Sequence, residues 1–273
     1  MPALAAAQCP EAPPLEVILS RLAANQERAI EARRTVVYEQ KTLVRFLRTN
    51  GKLAREERRH YTVTPMPSGT EKKLESFEGR YETKGRLLPY DKPGFTYKDL
   101  DLDGELIEDL TEDLLNDQGS RDGIAAGLFP LTSSEQRGYR FFFEGCRALG
   151  GAAAFLLRFQ PRKLAEGDSK PWQGEVYVDP QEFQPLLVVT KLARNVPAAV
   201  RVLFGISVRQ LGFSVTFTRV ADGLWFPFTY GTEFGLKVLF GYKRNITMNA
   251  VNSGFRRAQA DSTITFPQEL TGP

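Results

Sequence analysis

Few side chains in this sequence have the types and spacing that chemistry requires. The single histidine, His60, and the two cysteines, Cys9 and Cys146, stand well apart in the chain. One imidazole cannot supply a His-rich metal site, and two thiolates cannot complete a Cys-rich structural zinc site. Neither cysteine has a histidine nearby in sequence, so a thiol nucleophile would lack its base. The best acidic spacing is Asp99-x-Asp101-x-Asp103-Gly104, the first half of an EF-hand calcium loop. The twelfth position of that loop should be a bidentate glutamate and is Leu110 here, which favours acids compensating a helix dipole over a calcium site. Asp179 and Glu182 could share acid–base work, but Asp179-Pro180 is better explained as a turn. No nucleophile, base and orienting group come together. The expectation is a protein that binds rather than reacts, with no catalytic residue, cofactor or metal.

Abundant instead is phenylalanine, 19 of 273 residues, in a chain 42% hydrophobic and 25% charged with a formal charge of +3. That balance is too neutral for the basic footprint of a nucleic-acid binder. The longest apolar run, Ala148 to Leu157, falls short of the ~18 residues of a membrane-spanning helix. The phenylalanines sit at strand spacing. Phe141 and Phe143, Phe155 and Leu157, Phe213, Val215 and Phe217, and Phe226 and Phe228 each alternate with polar or outward residues, as in an antiparallel sheet with one greasy face. These nine are the expected wall of an apolar cavity. Filling of the sheet by its own side chains is the alternative, and would make this a structural or interaction domain of the cell envelope.

The elements that must position that wall are legible around it. Leu15, Ile18, Leu19, Leu22, Gln26 and Ile30 recur at helical spacing after Pro13-Pro14. Val36 to Leu47 and Leu53 to Thr64 flank Asn50-Gly51, a strong hairpin signal, and their many charges predict one wet face. His60 in the second of these strands reads as solvated or paired across strands. A short strand is expected around Lys73 to Phe77. From Asp91 to Asp122 there are 11 acidic against 3 basic residues, with Leu106, Leu110 and Leu114 on one stripe of a helix that Asn116 and Gly119 should end. This acidic helix is the expected lid. Thr132-Ser133-Ser134-Glu135 reads as a capping box, and strands follow to Phe266 with no βαβ rhythm. Val189 to Gln210 reads as a loop or a short membrane-seeking helix.

Met1 to Cys9 resembles the small-residue end of a secretory signal, which predicts an exported, periplasmic protein. A lipoprotein anchored at Cys9 is disfavoured because Gln8 precedes it. In an oxidising compartment Cys9 and Cys146 could pair, or they could be two unrelated thiols. The stretch Arg21 to Arg59 holds 11 basic and 5 acidic residues, Arg55, Arg58 and Arg59 among them. It could steer the chain to an anionic membrane surface or an envelope partner, or simply be solvated. The charged hairpin argues against an outer-membrane barrel.

Two stretches carry a resemblance to a known family. Trp172-Gln173-Gly174-Glu175-Val176-Tyr177-Val178-Asp179-Pro180-Gln181-Glu182-Phe183 ends a strand in an Asp-Pro turn before the next begins at Pro185-Leu186-Leu187-Val188-Val189. Asp222-Gly223-Leu224-Trp225-Phe226-Pro227 turns at glycine and opens a strand with an aromatic-Pro pair. With the N-terminal helix and charged hairpin, the chain resembles the LolA/LolB type of outer-membrane lipoprotein carrier and its bacterial periplasmic relatives. The resemblance implies an α+β fold in which a strongly curved antiparallel sheet, an open half-barrel, has helices over its concave face. It implies a lipid, an acyl chain or an acylated protein as cargo. The expected organisation is a signal remnant or tail over residues 1–14, one monomeric domain over 15–266 and a tail over 267–273.

Overall fold

The computed structural model describes residues 9–66, 69–99, 101–115, 129–162, 172–192, 207–209, 212–237 and 241–258. Helix α1 (Leu15–Arg33) follows Pro14, and its periodic Ile18, Leu22 and Ala29 are all buried. Strands β1 (Val36–Leu47) and β2 (Leu53–Met66) form the expected hairpin, with Gly51 at φ 80 in its turn. The strand expected at Lys73 to Phe77 is the middle of a much longer one, β3 (Gly69–Thr83), which returns through Lys84-Gly85 into β4 (Arg86–Tyr90). Charges along β3 hide its length from any apolar alternation. Helix α2 (Leu102–Leu115) carries the acidic stripe, and α3 (Ser133–Gln136) starts with the Thr132/Glu135 capping box.

The second run of strands is β5 (Tyr139–Leu149), β6 (Ala152–Pro161), β7 (Trp172–Val178), β8 (Pro185–Leu192), β9 (Ser207–Arg209), β10 (Gly212–Ala221), β11 (Leu224–Lys237) and β12 (Lys243–Arg257). Val189 therefore belongs to a strand. Arg194, Pro197 and Arg201 lie outside the described residues, as do Asn116, Gly119 and the side chain of Leu114.

All strands join one antiparallel sheet in the order β4-β3-β2-β1-β12-β11-β10-β8-β7-β6-β5, with β9 pairing β11. The last strand pairs with the first, so two meanders fuse along β1 and β12. The sheet is curved and stays open, with β4 and β5 at its edges: an α+β half-barrel whose helices lie across the concave face. Beneath α1, Ile18 and Leu22 pack with Phe155, Leu157, Val176 and Phe183. Beneath α2, Ile107 packs with Val44, Phe46, Phe213, Val215 and Tyr230. Phe129 and Phe217 touch both clusters and mark the seam between the helices.

Candidate functional site on the concave face

The two helices are held differently. Helix α1 buries Ile18 and Leu22 completely and is bonded along its length to the sheet and its turns. Asn25 Nδ2 donates to the Glu182 and Phe183 carbonyls at 2.6 and 3.0 Å, and Arg33 Nε to the Trp225 carbonyl at 3.0 Å. Residues ahead of α1 are fixed as well, because Cys9 and Cys146 form a disulfide with Cα atoms 6.1 Å apart that ties them to edge strand β5. Among the described apolar side chains of α2, by contrast, only Ile107 is fully buried, while Leu106 and Leu110 are half-buried. Polar contacts hold α2 instead.

Those contacts explain the Asp99-to-Gly104 motif. Asp101 Oδ2 accepts from Arg55 Nη1 at 2.8 Å and from the Tyr97 amide at 2.9 Å. Asp103 takes a two-pronged contact from Arg244, 2.8 Å on each arm, and a 2.5 Å hydrogen bond from the Tyr242 hydroxyl. A Cβ on Gly104 would lie 2.9 Å from Arg55 Nη1 and 2.8 Å from Asp101 Oδ2, so glycine makes room for the pair. Further along the helix, Glu108 Oε2 accepts from Arg59 Nη2 at 2.6 Å. Two of the motif's three acids, Asp101 and Asp103, are engaged by arginines of the sheet, while Asp99 is exposed.

Arg55 and Arg59 correct the expectation of a basic outer surface, since both are buried on the concave face while Arg58 stays exposed. In β2, residues 55, 57, 59 and 61 stand opposite Phe46, Val44, Thr42 and Gln40 of β1, and directly opposed residues share a face. The buried charges are therefore paired. Arg59 reaches Glu57 at 2.6 Å, the Tyr90 hydroxyl donates to Glu57 at 2.6 Å, and Arg55 Nε donates to Tyr90 at 2.8 Å. Arg55 Nη2 also donates to the Phe95 carbonyl. Burial would raise the Asp101 carboxyl, but the Tyr97 amide and Arg55 hold it below the usual carboxylate range. Burial and the neighbouring Glu57 push the Tyr90 phenol up. His60 lies on the other face, its Nε2 3.4 Å from Glu39 of the neighbouring strand.

The nine residues expected to line one wall divide instead. Phe155 and Leu157 lie under α1 with Phe141 packed beside them, Phe213 and Val215 lie under α2, and Phe217 bridges the two clusters. Phe226 sits apart with Tyr38 and Val63 beneath the Arg33 guanidinium. Phe143 packs edge-on against Phe155 but is 39% exposed because β5 is an edge strand. Phe228 is also 39% exposed. Phe217 opposes Pro227 while Thr216 opposes Thr229, so a β-bulge skips Phe228 and breaks the period-two pattern. Asp179 accepts from the Gln181 and Glu182 amides, and Glu182 accepts from Trp225 Nε1, so both carboxylates have structural duties.

One row of the concave face carries an unexpected pair. Thr42 opposes Ala250, and Ala250 opposes Tyr230. Both hydroxyls are buried, at residue exposures of 3% and 4%, and neither has a hydrogen-bond partner among the described residues. Burial pushes the Tyr230 phenol up, so it is a neutral donor. An unsatisfied buried hydroxyl costs about 1–3 kcal/mol, and two flanking Ala250, one in the apolar cluster and the other between that cluster and Arg59, call for a reason.

No family model matches the chain, and no curated protein does. Among solved structures similar to it, a DUF1329 family protein from Desulfovibrio piger is 11% identical, with 92% of this chain and 95% of that chain covered at a TM-score of 0.36. Lipovitellin, solved for its lipid–protein interactions, is 9% identical over 86% of this chain and 27% of its own, at a TM-score of 0.33. This chain thus spans about a quarter of lipovitellin's length.

Proposed function

We propose that the protein is a periplasmic carrier or binder of a hydrophobic ligand, a lipid, an acyl chain or an acylated protein, taken up beneath α2 without chemical change. The observation that carries this reading is the pair of buried hydroxyls with no hydrogen-bond partner among the described residues: Tyr230 in the apolar cluster that α2 covers, and Thr42 at its margin, between Ala250 of that cluster and Arg59. A polar atom of a ligand, such as an ester carbonyl, satisfies them, whereas a core built only for packing has no use for them. Helix α2 suits a lid because its grip, among the described side chains, is a few ion pairs and one fully buried apolar residue, while α1 is built in. Each ligand CH₂ buried contributes roughly 0.8 kcal/mol, enough for an acyl chain to displace Ile107. The Cys9–Cys146 disulfide supports an oxidising compartment.

The second reading, an envelope interaction domain with a self-filled core, is favoured by the complete burial of Ile18, Leu22 and Ile107. Two measurements decide between them: organic extraction of the purified protein followed by mass spectrometry, and titration with a fluorescent acyl probe. The carrier reading expects a co-purifying lipid or saturable probe binding that protects α2 from hydrogen exchange. Absence of both leaves the self-filled domain.

A further inference from the structure

A polar cavity of about 530 Å³ opens at the end of the sheet where the β1–β2, β3–β4 and β11–β12 connections turn. Its cations are Arg48, Arg55, Lys84, Lys98 and Arg244, and its carboxylates are Glu82, Asp101 and Asp103. Three ion pairs use up the acids: Arg48 with Glu82, Arg55 with Asp101 and Arg244 with Asp103. Among the described residues Lys84 and Lys98 have no carboxylate partner, so the cavity lining carries a surplus of two positive charges. A concave, low-dielectric wall concentrates such a field on an entering anion.

Lys84 is also held where lysine is disfavoured. It is the first residue of a two-residue turn with Gly85, at φ 49 and 78, a conformation that prefers Asn-Gly. The neighbouring β1–β2 hairpin has Asn50-Gly51 in its turn. A lysine kept at a left-handed position on a cavity rim points to a task for its ammonium group.

The cavity shares Ala54 and Tyr242 with the apolar cluster beneath α2, and Leu102 and Asp103 of α2 also line it. We propose that it receives the phosphate-type anionic head of an amphiphile whose tail lies under α2, with Lys84 and Lys98 as the charge contacts. This rests on the lipid-binding reading and adds a headgroup class to it.

The test titrates the full chain with three probes: oleoyl lysophosphatidic acid, monoolein with the same tail and no charge, and glycerol 3-phosphate with the same head and no tail. Lysophosphatidic acid is expected to bind about tenfold more tightly than monoolein, as two charge-assisted contacts give. In a Lys84→Asn/Lys98→Gln variant, whose turn residue suits the backbone better, that preference disappears while monoolein affinity is unchanged. Equal affinity of the two lipids, or a preference that survives in the variant, overturns the headgroup site and leaves the carrier reading standing. Glycerol 3-phosphate binding with neither lipid bound identifies a site for a soluble phosphate and overturns both. Failure of all three probes overturns both as well.

Discussion

Thr42 and Tyr230 stand on either side of Ala250 in one cross-strand row, and both hydroxyls are buried with no hydrogen-bond partner among the described residues. Replacing Tyr230 by Phe removes an unsatisfied donor and keeps the ring packed against Phe213, whose centroid is 5.7 Å away. The unliganded Tyr230→Phe protein should therefore melt at the same temperature or a few degrees higher, as befits relief of about 1 kcal/mol. If the hydroxyl serves an ester carbonyl, affinity for an acyl ester should fall about tenfold while that for a plain hydrocarbon probe holds. A variant destabilised by more than about 1 kcal/mol would mean that the hydroxyl has a structural role, against the proposed one.

The Asp101–Arg55 contact fixes how α2 responds to pH. Asp101 is held below its ordinary value of 3.8 in the folded chain, and Arg55, whose guanidinium is held up by Tyr90 and Asp101 despite burial, stays charged throughout. A depressed carboxyl stabilises the fold fully above its unfolded value and loses that contribution as pH falls through the folded one. Protection of α2 amides, corrected for intrinsic exchange, should be flat from about pH 8 to about pH 5 and fall only below about pH 4. Asp101→Asn should lower protection at neutral pH and remove the part of the acid response that this carboxyl supplies. A loss of α2 protection between about pH 7 and 6 in the parent protein would contradict the assignment.

Much of this architecture is legible locally. The helical spacing of α1, the Asn50-Gly51 hairpin, the Thr132/Glu135 capping box and the antiparallel class each depend on residues close together in sequence. The site is not local. Asp101 meets Arg55 across 46 residues and Asp103 meets Arg244 across 141, and only the fold decides which arginines meet which acids. Arg55-Glu56-Glu57-Arg58-Arg59 has no apolar member to show which face is inward. Its alternate residues, Arg55, Glu57 and Arg59, carry opposite signs in turn, and that was the available signal for a buried network. Phe228 misleads for another reason: a bulge shifts the period, and bulges belong to the register with a neighbouring strand.

The disulfide spans 137 residues of sequence and fastens the chain ahead of α1 to edge strand β5. Closing so long a loop restricts the unfolded chain, so a Cys9→Ser/Cys146→Ser variant should lose about 2–4 kcal/mol in denaturant unfolding. Ala12 and Leu15 pack in the same cluster as Cys146, and their amides should exchange faster in the variant. Amides of β12, at the centre of the sheet, should lose protection only by the global change. Unchanged stability under reducing conditions would show that packing at Ala12 and Leu15 alone holds this segment.

Gly79 bears on the charged network without carrying a charge. A Cβ there would lie 2.3 Å from carbons of the Tyr90 ring, which stacks on Phe95 at 4.8 Å and packs against Phe77 at 5.6 Å. The ring cannot retreat without pulling its hydroxyl from both Arg55 and Glu57, so Gly79→Ala should destabilise the protein by about 1–3 kcal/mol. Tyr90→Phe keeps the ring but removes the bridge between two buried charges, at a cost of about 1–3 kcal/mol. Because both changes act on one bridge, the double variant should cost less than the sum of the two, by about 1 kcal/mol or more in denaturant unfolding. Strict additivity would show that backbone movement between β3 and β4 accommodates the added methyl group, with the Arg55–Tyr90–Glu57 bridge left intact.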